Sequence, residues 1–223
     1  MNKKEMLKAV VKFLSGVIIV FLLLFLPAGD LNYYNGWLLM CLLFVPMLLV
    51  GIFLMIKNPK LLELRLNAKE KENEQKIVVI LSALMFIIGF IVSGLNYRYN
   101  WYVMSDIAVI IGVIIFVISY ILYAEILREN TFLSRTIEVV DNQKVVDTGF
   151  YKIVRHPMYL ITILLFLSMP LILNSLYSLF VFLIYPIIMI IRINNEEKIL
   201  EKDLKGYKEY KNKVKYKLIP FIW

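Results

Sequence analysis

Six apolar runs, separated by polar connections of unequal length, organise this chain. They cover Ala9 to Ala28, Trp37 to Ile56, Ile77 to Leu95, Tyr102 to Ala124, Met158 to Leu173 and Leu176 to Ile191. A transmembrane helix needs about 20 mostly apolar residues to cross about 30 Å of hydrocarbon, and the first four runs meet or approach that length. The last two, at 16 residues each, reach only about 24 Å as helices. Asn174 and Ser175 alone join them, so they form a hairpin, and Pro170 and Pro186 are placed to kink its arms. The pattern predicts an all-α, polytopic membrane protein with about six segments and a C-terminal helix hairpin.

Charge gives the pattern a direction. The formal charge is +8, and of the 25 lysines and arginines only Arg98 falls on the face of the short links "GDLNYYNG", "NYRYN" and "NS". The positive-inside rule makes the other face cytoplasmic, with both termini inside. The basic excess is a topology signal with a secondary attraction to anionic lipid, and it does not indicate nucleic acid. Hydrophobic residues make up 61% of the chain and charged ones 19%, beyond what a soluble domain carries. Lys3 and Lys4 ahead of the first run suggest a signal peptide, but that run exceeds the usual h-region of about 7–15 residues and is read as a retained span. Cys41, the only cysteine, lies within the second run and excludes an intramolecular disulfide.

The cytoplasmic connections are long. Residues 57–76 begin with a Pro-led, partly amphipathic turn of helix and continue as an alternating-sign charge run, which reads as a solvated loop. Residues 125–157 hold "TIEVVDNQKVV", where β-branched residues flank Asp141-Asn142 as in a short hairpin. In the tail, Leu200, Leu204 and Tyr207 recur at helical spacing, Gly206 is placed to break that helix, and Trp223 has the character of an interfacial anchor. No internal repeat supports a repeat-built transporter.

The chemistry-bearing residues gather at one membrane boundary. The sole histidine lies in "YKIVRHPMYL", where Pro157 suits the first turn of a helix. The hairpin returns "RINNEEKILEKDL" to the same face, bringing Arg192, Glu196 and Glu197 near Arg155, His156 and Tyr159. Ionisable groups gathered at a bilayer edge form a site hypothesis by default. No His/Cys/Asp/Glu grouping has metal-ligand spacing.

Gly149-x-Tyr151-x-x-x-Arg155-His156-Pro157-x-Tyr159, then Arg192-x-x-x-Glu196-Glu197-x-x-Leu200, Gly206-Tyr207-x-x-Tyr210 and Pro220, resembles the isoprenylcysteine carboxyl methyltransferase family and its relatives, the phospholipid N-methyltransferases. The resemblance covers about residues 125–223. It divides the chain into N-terminal transmembrane helices, 1–124, and a methyltransferase-like catalytic region, 125–223, with a cytoplasmic S-adenosylmethionine site. It implies that Tyr151, His156 and Tyr159 contact the cofactor, that Arg155 and Pro157 shape the turn, and that Glu196 and Glu197 pair with its ammonium or ribose hydroxyls. Arg192 and Glu196 are the implied catalytic residues: Arg192 would hold an acceptor carboxylate bidentately, and an amine or thiol acceptor would need a glutamate or His156 as base. One departure is Ile161, where many relatives have glycine; a branched residue there is expected to narrow the ligand's approach.

The acceptor implied is a lipophilic small molecule or lipid-linked substrate, met among membrane lipids, with no nucleic acid and no obligate protein partner evident. The Ile- and Lys-rich composition points to a prokaryotic plasma membrane. Two other readings stand: an NADPH-dependent sterol or isoprenoid reductase, which uses a related Arg-His turn, and a transporter or scaffold. The second predicts polar residues deep in the helices, and this chain has few.

Overall fold

The computed structural model describes residues 3–66, 70, 72–134, 136, 137, 139, 140 and 142–223. Among the described residues it is helical, without a strand. The helices are α1 (Lys3–Ala28), α2 (Tyr34–Lys57), α3 (Pro59–Leu66), α4 (Asn73–Tyr99), α5 (Asp106–Glu129), α6 (Pro157–Ile172), α7 (Leu176–Phe182), α8 (Ile184–Asp203) and α9 (Tyr207–Lys213). Five stretches are long and apolar enough to cross a membrane: Met6–Ala28, Tyr34–Lys57, Glu74–Tyr99, Asp106–Glu129 and Leu176–Asp203. Their outward faces are apolar as well, with Leu14, Ile18, Leu26, Leu49, Phe53, Ile107 and Ile121 all exposed. Acyl chains are the solvent such faces fit.

The core lies where α1 packs on α4, α4 crosses α7 and α8, and α5 runs along α6. Leu24, Leu39, Phe116, Ile172 and Phe182 are fully buried there. The α5–α6 contact is close because Gly112 has no side chain: a Cβ there would lie 2.7 Å from Leu171 Cβ and 3.0 Å from the Ile172 nitrogen. Small residues at such points let helix backbones approach in lipid. The run expected from Tyr102 becomes helix only at Asp106, because Asn96 and Asn174 hold the preceding link. The Tyr102 N–H donates to Asn96 Oδ1 at 3.3 Å and the Met104 N–H to Asn174 Oδ1 at 2.6 Å.

The helix of the fifth apolar run, α6, is 16 residues long and ends inside the protein. Its last carbonyls need partners that lipid does not offer. Side chains from the first outer link supply them: Tyr33 OH donates to the Leu173 carbonyl at 2.7 Å and Asn35 Nδ2 to that of Ile172 at 2.9 Å. Tyr33→Phe leaves a buried carbonyl short of a donor, so we expect a loss of about 1–3 kcal/mol. A lower apparent melting temperature in detergent is the readout, and an unchanged one removes Tyr33 from this capping role. The hairpin turns at Asn174, in left-handed conformation, and continues through Ser175, which caps α7 by accepting from the Ser178 N–H at 3.3 Å. Pro186 lacks the N–H that would bond the carbonyl of Phe182, where α7 stops before α8 resumes.

Two sequence expectations change. Residues 57–76 are not simply solvated: Leu61, Leu62 and Gln75 are buried and the Glu70 side chain is 4% exposed; Asn67, Ala68, Lys69 and Lys71 lie outside the described residues. In place of the hairpin, the described part of 136–146 has a turn, with the Gln143 N–H donating to the Val140 carbonyl at 3.0 Å and Asn142 left-handed. Asp141 and Glu138 lie outside the described residues. In the tail, Gly206 separates α8 from α9 as expected, and Leu204, Tyr207, Tyr210 and Val214 pack on Ile126, Tyr151 and Ile161, so the apolar stripe faces protein.

Candidate functional site

The chain approaches α6 through a tight turn at Gly149–Lys152. Gly149 has φ +45°, and a Cβ there would lie 2.2 Å from Glu129 Oε1, which accepts from Thr148 Oγ1 at 2.7 Å. A side chain would therefore meet both a strained backbone and a carboxylate. Tyr151 is buried next: its hydroxyl accepts from Asn130 Nδ2 at 3.1 Å and its carbonyl from Tyr210 OH at 2.7 Å. Burial pushes the Tyr151 and Tyr210 hydroxyls above the ordinary phenol range, so both remain protonated donors.

Arg155 and His156 are fixed by the tail. The Arg155 N–H donates to the Tyr216 carbonyl at 2.9 Å and the His156 N–H to that of Lys217 at 2.8 Å. Arg155 Nη1 donates to the carbonyls of Val214 and Lys215 at 2.7 and 2.8 Å. Pro157 then starts α6 at its first turn, where a missing N–H costs nothing.

Glu197 is the electrostatic centre of this corner. Its Oε1 accepts from Arg155 Nε at 2.6 Å and lies 3.2 Å from His156 Nε2, while Oε2 is 3.2 Å from Lys217 Nζ. The side chains of Glu197, Arg155 and His156 are each 4% exposed. A carboxylate only accepts, so His156 Nε2 carries a proton toward Glu197 and Nδ1 faces Glu196 Oε2, 3.7 Å away. Lys217 also donates to Asn194 Oδ1 at 2.6 Å and lies 5.1 Å from the centre of the Trp223 ring.

Above this corner an open cavity lies between residues 130, 132–134, 136, 137 and 143–146, the start of α6, the end of α8, and α9. Tyr151, Arg155, His156, Tyr159, Arg192 and Glu196 all line it, so the hairpin brings together residues from both motifs. Glu197 and Pro157 do not line it. Glu197, expected as a cofactor contact, stands behind His156 with its oxygens taken by cations. Ile161 does not line the cavity either: it is buried in the small core beneath, against Tyr151 and α9, so the expected narrowing does not arise there.

Two buried polar atoms on the cavity wall lack a hydrogen-bond partner among the described residues: Glu196 Oε2 and Tyr207 OH. Native interiors leave few such groups, and each asks for a ligand, water or ion. Burial, with the Glu197 and Glu196 carboxylates, raises the Tyr207 hydroxyl well above its ordinary range, so it stays a donor.

Arg192 lies one turn before Glu196 on α8. Its Nε donates to Tyr159 OH at 3.0 Å, Nη1 lies 3.4 Å from Gln75 Oε1, and Nη2 is 3.1 Å from Glu70 Oε1. Glu70 and Gln75 were not legible as site residues, because a charge run offers no signal for which member turns inward. Lys217 and the carbonyls of 214–217 were equally hidden, since backbone groups leave no trace in side-chain identity.

Residues 107–206 match the family model described as phospholipid methyltransferase. Among curated proteins, none matches the chain. The matched stretch holds Arg155, His156, Tyr159, Arg192, Glu196 and Glu197, while Glu70, Gln75, Tyr207 and the strapping tail fall outside it. Over residues 107–206, a little under half of its length, the chain is therefore similar to the phospholipid methyltransferase family, which includes the isoprenylcysteine carboxyl methyltransferases.

Proposed function

We propose that this protein is an integral membrane methyltransferase that takes its methyl group from S-adenosylmethionine and gives it to the carboxylate of a lipophilic acceptor. The observation that carries the reading is the convergence of His156, Glu196, Tyr159 and Arg192 on one cavity at the helix ends. The clustering of basic residues supports a cytoplasmic position for that end and for both termini. There the donor arrives from water and the acceptor from lipid. In this reading the protein acts alone among membrane lipids, without nucleic acid, in a prokaryotic plasma membrane.

The residues present fit the cofactor. Glu196 Oε2 is a buried acceptor without a donor, suited to an ammonium or ribose hydroxyls, and Tyr207 OH is a buried donor without an acceptor. When bound, S-adenosylmethionine supplies a methyl group on a positively charged sulfur. His156 is held by Glu197 on one side and faces Glu196 on the other, so it fixes the carboxylate that faces the cavity. Tyr151 and Tyr159 wall the site against water.

Arg192 would hold the acceptor, and the structure has it paired with a carboxylate, that of Glu70. With the methyl donor bound beside Glu196, Arg192 would hold the carboxylate oxygen that accepts the methyl group. No proton moves, so no base is required, and alignment is the chain's main contribution. A glutamate on the wall with one oxygen open to a ligand disfavours the phosphates of a nicotinamide dinucleotide, which weighs against the reductase reading.

Isothermal titration of detergent-purified protein tests the reading. Heat with S-adenosylmethionine and none with NADPH is expected. The opposite pattern would establish the reductase, and silence with both would leave a transporter or scaffold.

A further inference from the structure

Arg192 belongs to the matched stretch, but its counter-charge comes from elsewhere. Glu70 lies between α3 and α4, and its side chain, 4% exposed, puts Oε1 3.1 Å from Arg192 Nη2. The other oxygen accepts from the Ile137 N–H at 3.2 Å, which steers the carboxylate onto the arginine. A buried guanidinium needs such a partner, so on these facts alone Glu70 is structural.

Gln75 changes that reading. It is fully buried, and its Oε1 faces Arg192 Nη1 at 3.4 Å, while its Nε2 has no hydrogen-bond partner among the described residues. A buried donor is thus left over beside an arginine that already grips one carboxylate. A carboxylate with two free oxygens would satisfy guanidinium and amide together, whereas Glu70 has committed one oxygen to Ile137.

We propose that Glu70 is a built-in competitor for the acceptor's carboxylate: it occupies on Arg192 the place that this carboxylate takes, so a carboxylate enters only by exchange with Glu70 and must bind well enough to displace it. The inference rests on the carboxylate reading above. With Glu70 in place the pair is neutral, and a second carboxylate would meet like charge at short range. Exchange keeps the charge of the buried pair constant. The competing side chain raises the threshold for weak anions, and the spare Gln75 amide rewards a ligand that offers both oxygens.

The test uses protein saturated with S-adenosylhomocysteine in maltoside micelles, titrated with dodecanoate and, as neutral control, dodecanol. Glu70→Gln removes the competing charge. We expect dodecanoate to bind it about 10-fold more tightly than wild type, dodecanol to bind both equally, and the variant's lowered melting temperature to rise more with dodecanoate. Should Glu70→Gln not fold, Glu70→Asp draws the carboxylate back by one methylene and should tighten dodecanoate several-fold. Equal or weaker dodecanoate binding in the variants, with S-adenosylhomocysteine still bound, overturns the role of Glu70 and leaves the methyltransferase reading standing. If wild type and variants alike fail to prefer dodecanoate over dodecanol, the carboxylate acceptor falls with it. Failure of wild type to bind S-adenosylhomocysteine sinks the proposed function itself and this inference together.

Discussion

Glu197→Ala is expected to cost about 3–5 kcal/mol of stability, the usual penalty for removing one partner of a buried ion pair. The size follows from what is stranded. Arg155 loses its Nε acceptor, Lys217 loses its carboxylate, and His156 Nε2 faces nothing, all in a corner where these side chains are mostly shielded from water. The tail that cages Arg155 should loosen with it, since residues 214–217 attach to the same corner. Thermal unfolding in detergent measures the loss, and proteolysis at the tail should accelerate. A melting temperature within a degree of wild type would mean that the four-way contact around Glu197 contributes little.

Glu196→Gln should behave oppositely: folded, but poor at binding the methyl donor. Glu196 Oε2 has no hydrogen bond to lose, and glutamine keeps an acceptor oxygen for the Tyr159 hydroxyl, so stability changes little. A hydrogen bond to a charged group contributes about 1.5–3 kcal/mol, and losing it should weaken S-adenosylmethionine roughly 10- to 100-fold. Titration of Glu196→Gln and Glu197→Ala side by side separates the two adjacent acids by role. Wild-type affinity in Glu196→Gln would remove that carboxylate from the cofactor's contacts.

Much of this architecture was visible in hydropathy, because a bilayer imposes length and apolarity on every span. The hairpin followed from two residues between two apolar runs, and it delivers Arg192 and Glu196 to His156 as expected. The division of labour between Glu196 and Glu197 was not visible: neighbours on a helix point about 100° apart, and only the packed partners reveal which side faces the cavity. Glu70 was hidden for a related reason. Its run of charges reads as solvent-facing, and its inward turn depends on Ile137 and Arg192, both more than 60 residues away. The inward face of Ile161 was not visible either, because it depends on Tyr151, Tyr207 and Tyr210 packing beneath α6.

The buried end of α6 has a consequence for how the protein tolerates its surroundings. Helices that run from one headgroup layer to the other must tilt or bend when the bilayer thickens. The helix that carries His156, Pro157 and Tyr159 stops short and is tethered by Tyr33 and Asn35, so bilayer thickness pulls first on α1, α2, α4, α5 and the α7–α8 arm that carries Arg192 and Glu196. The His156 wall of the site is mechanically insulated while the Arg192 wall is not, so membranes whose fatty acids differ in length should shift the second against the first.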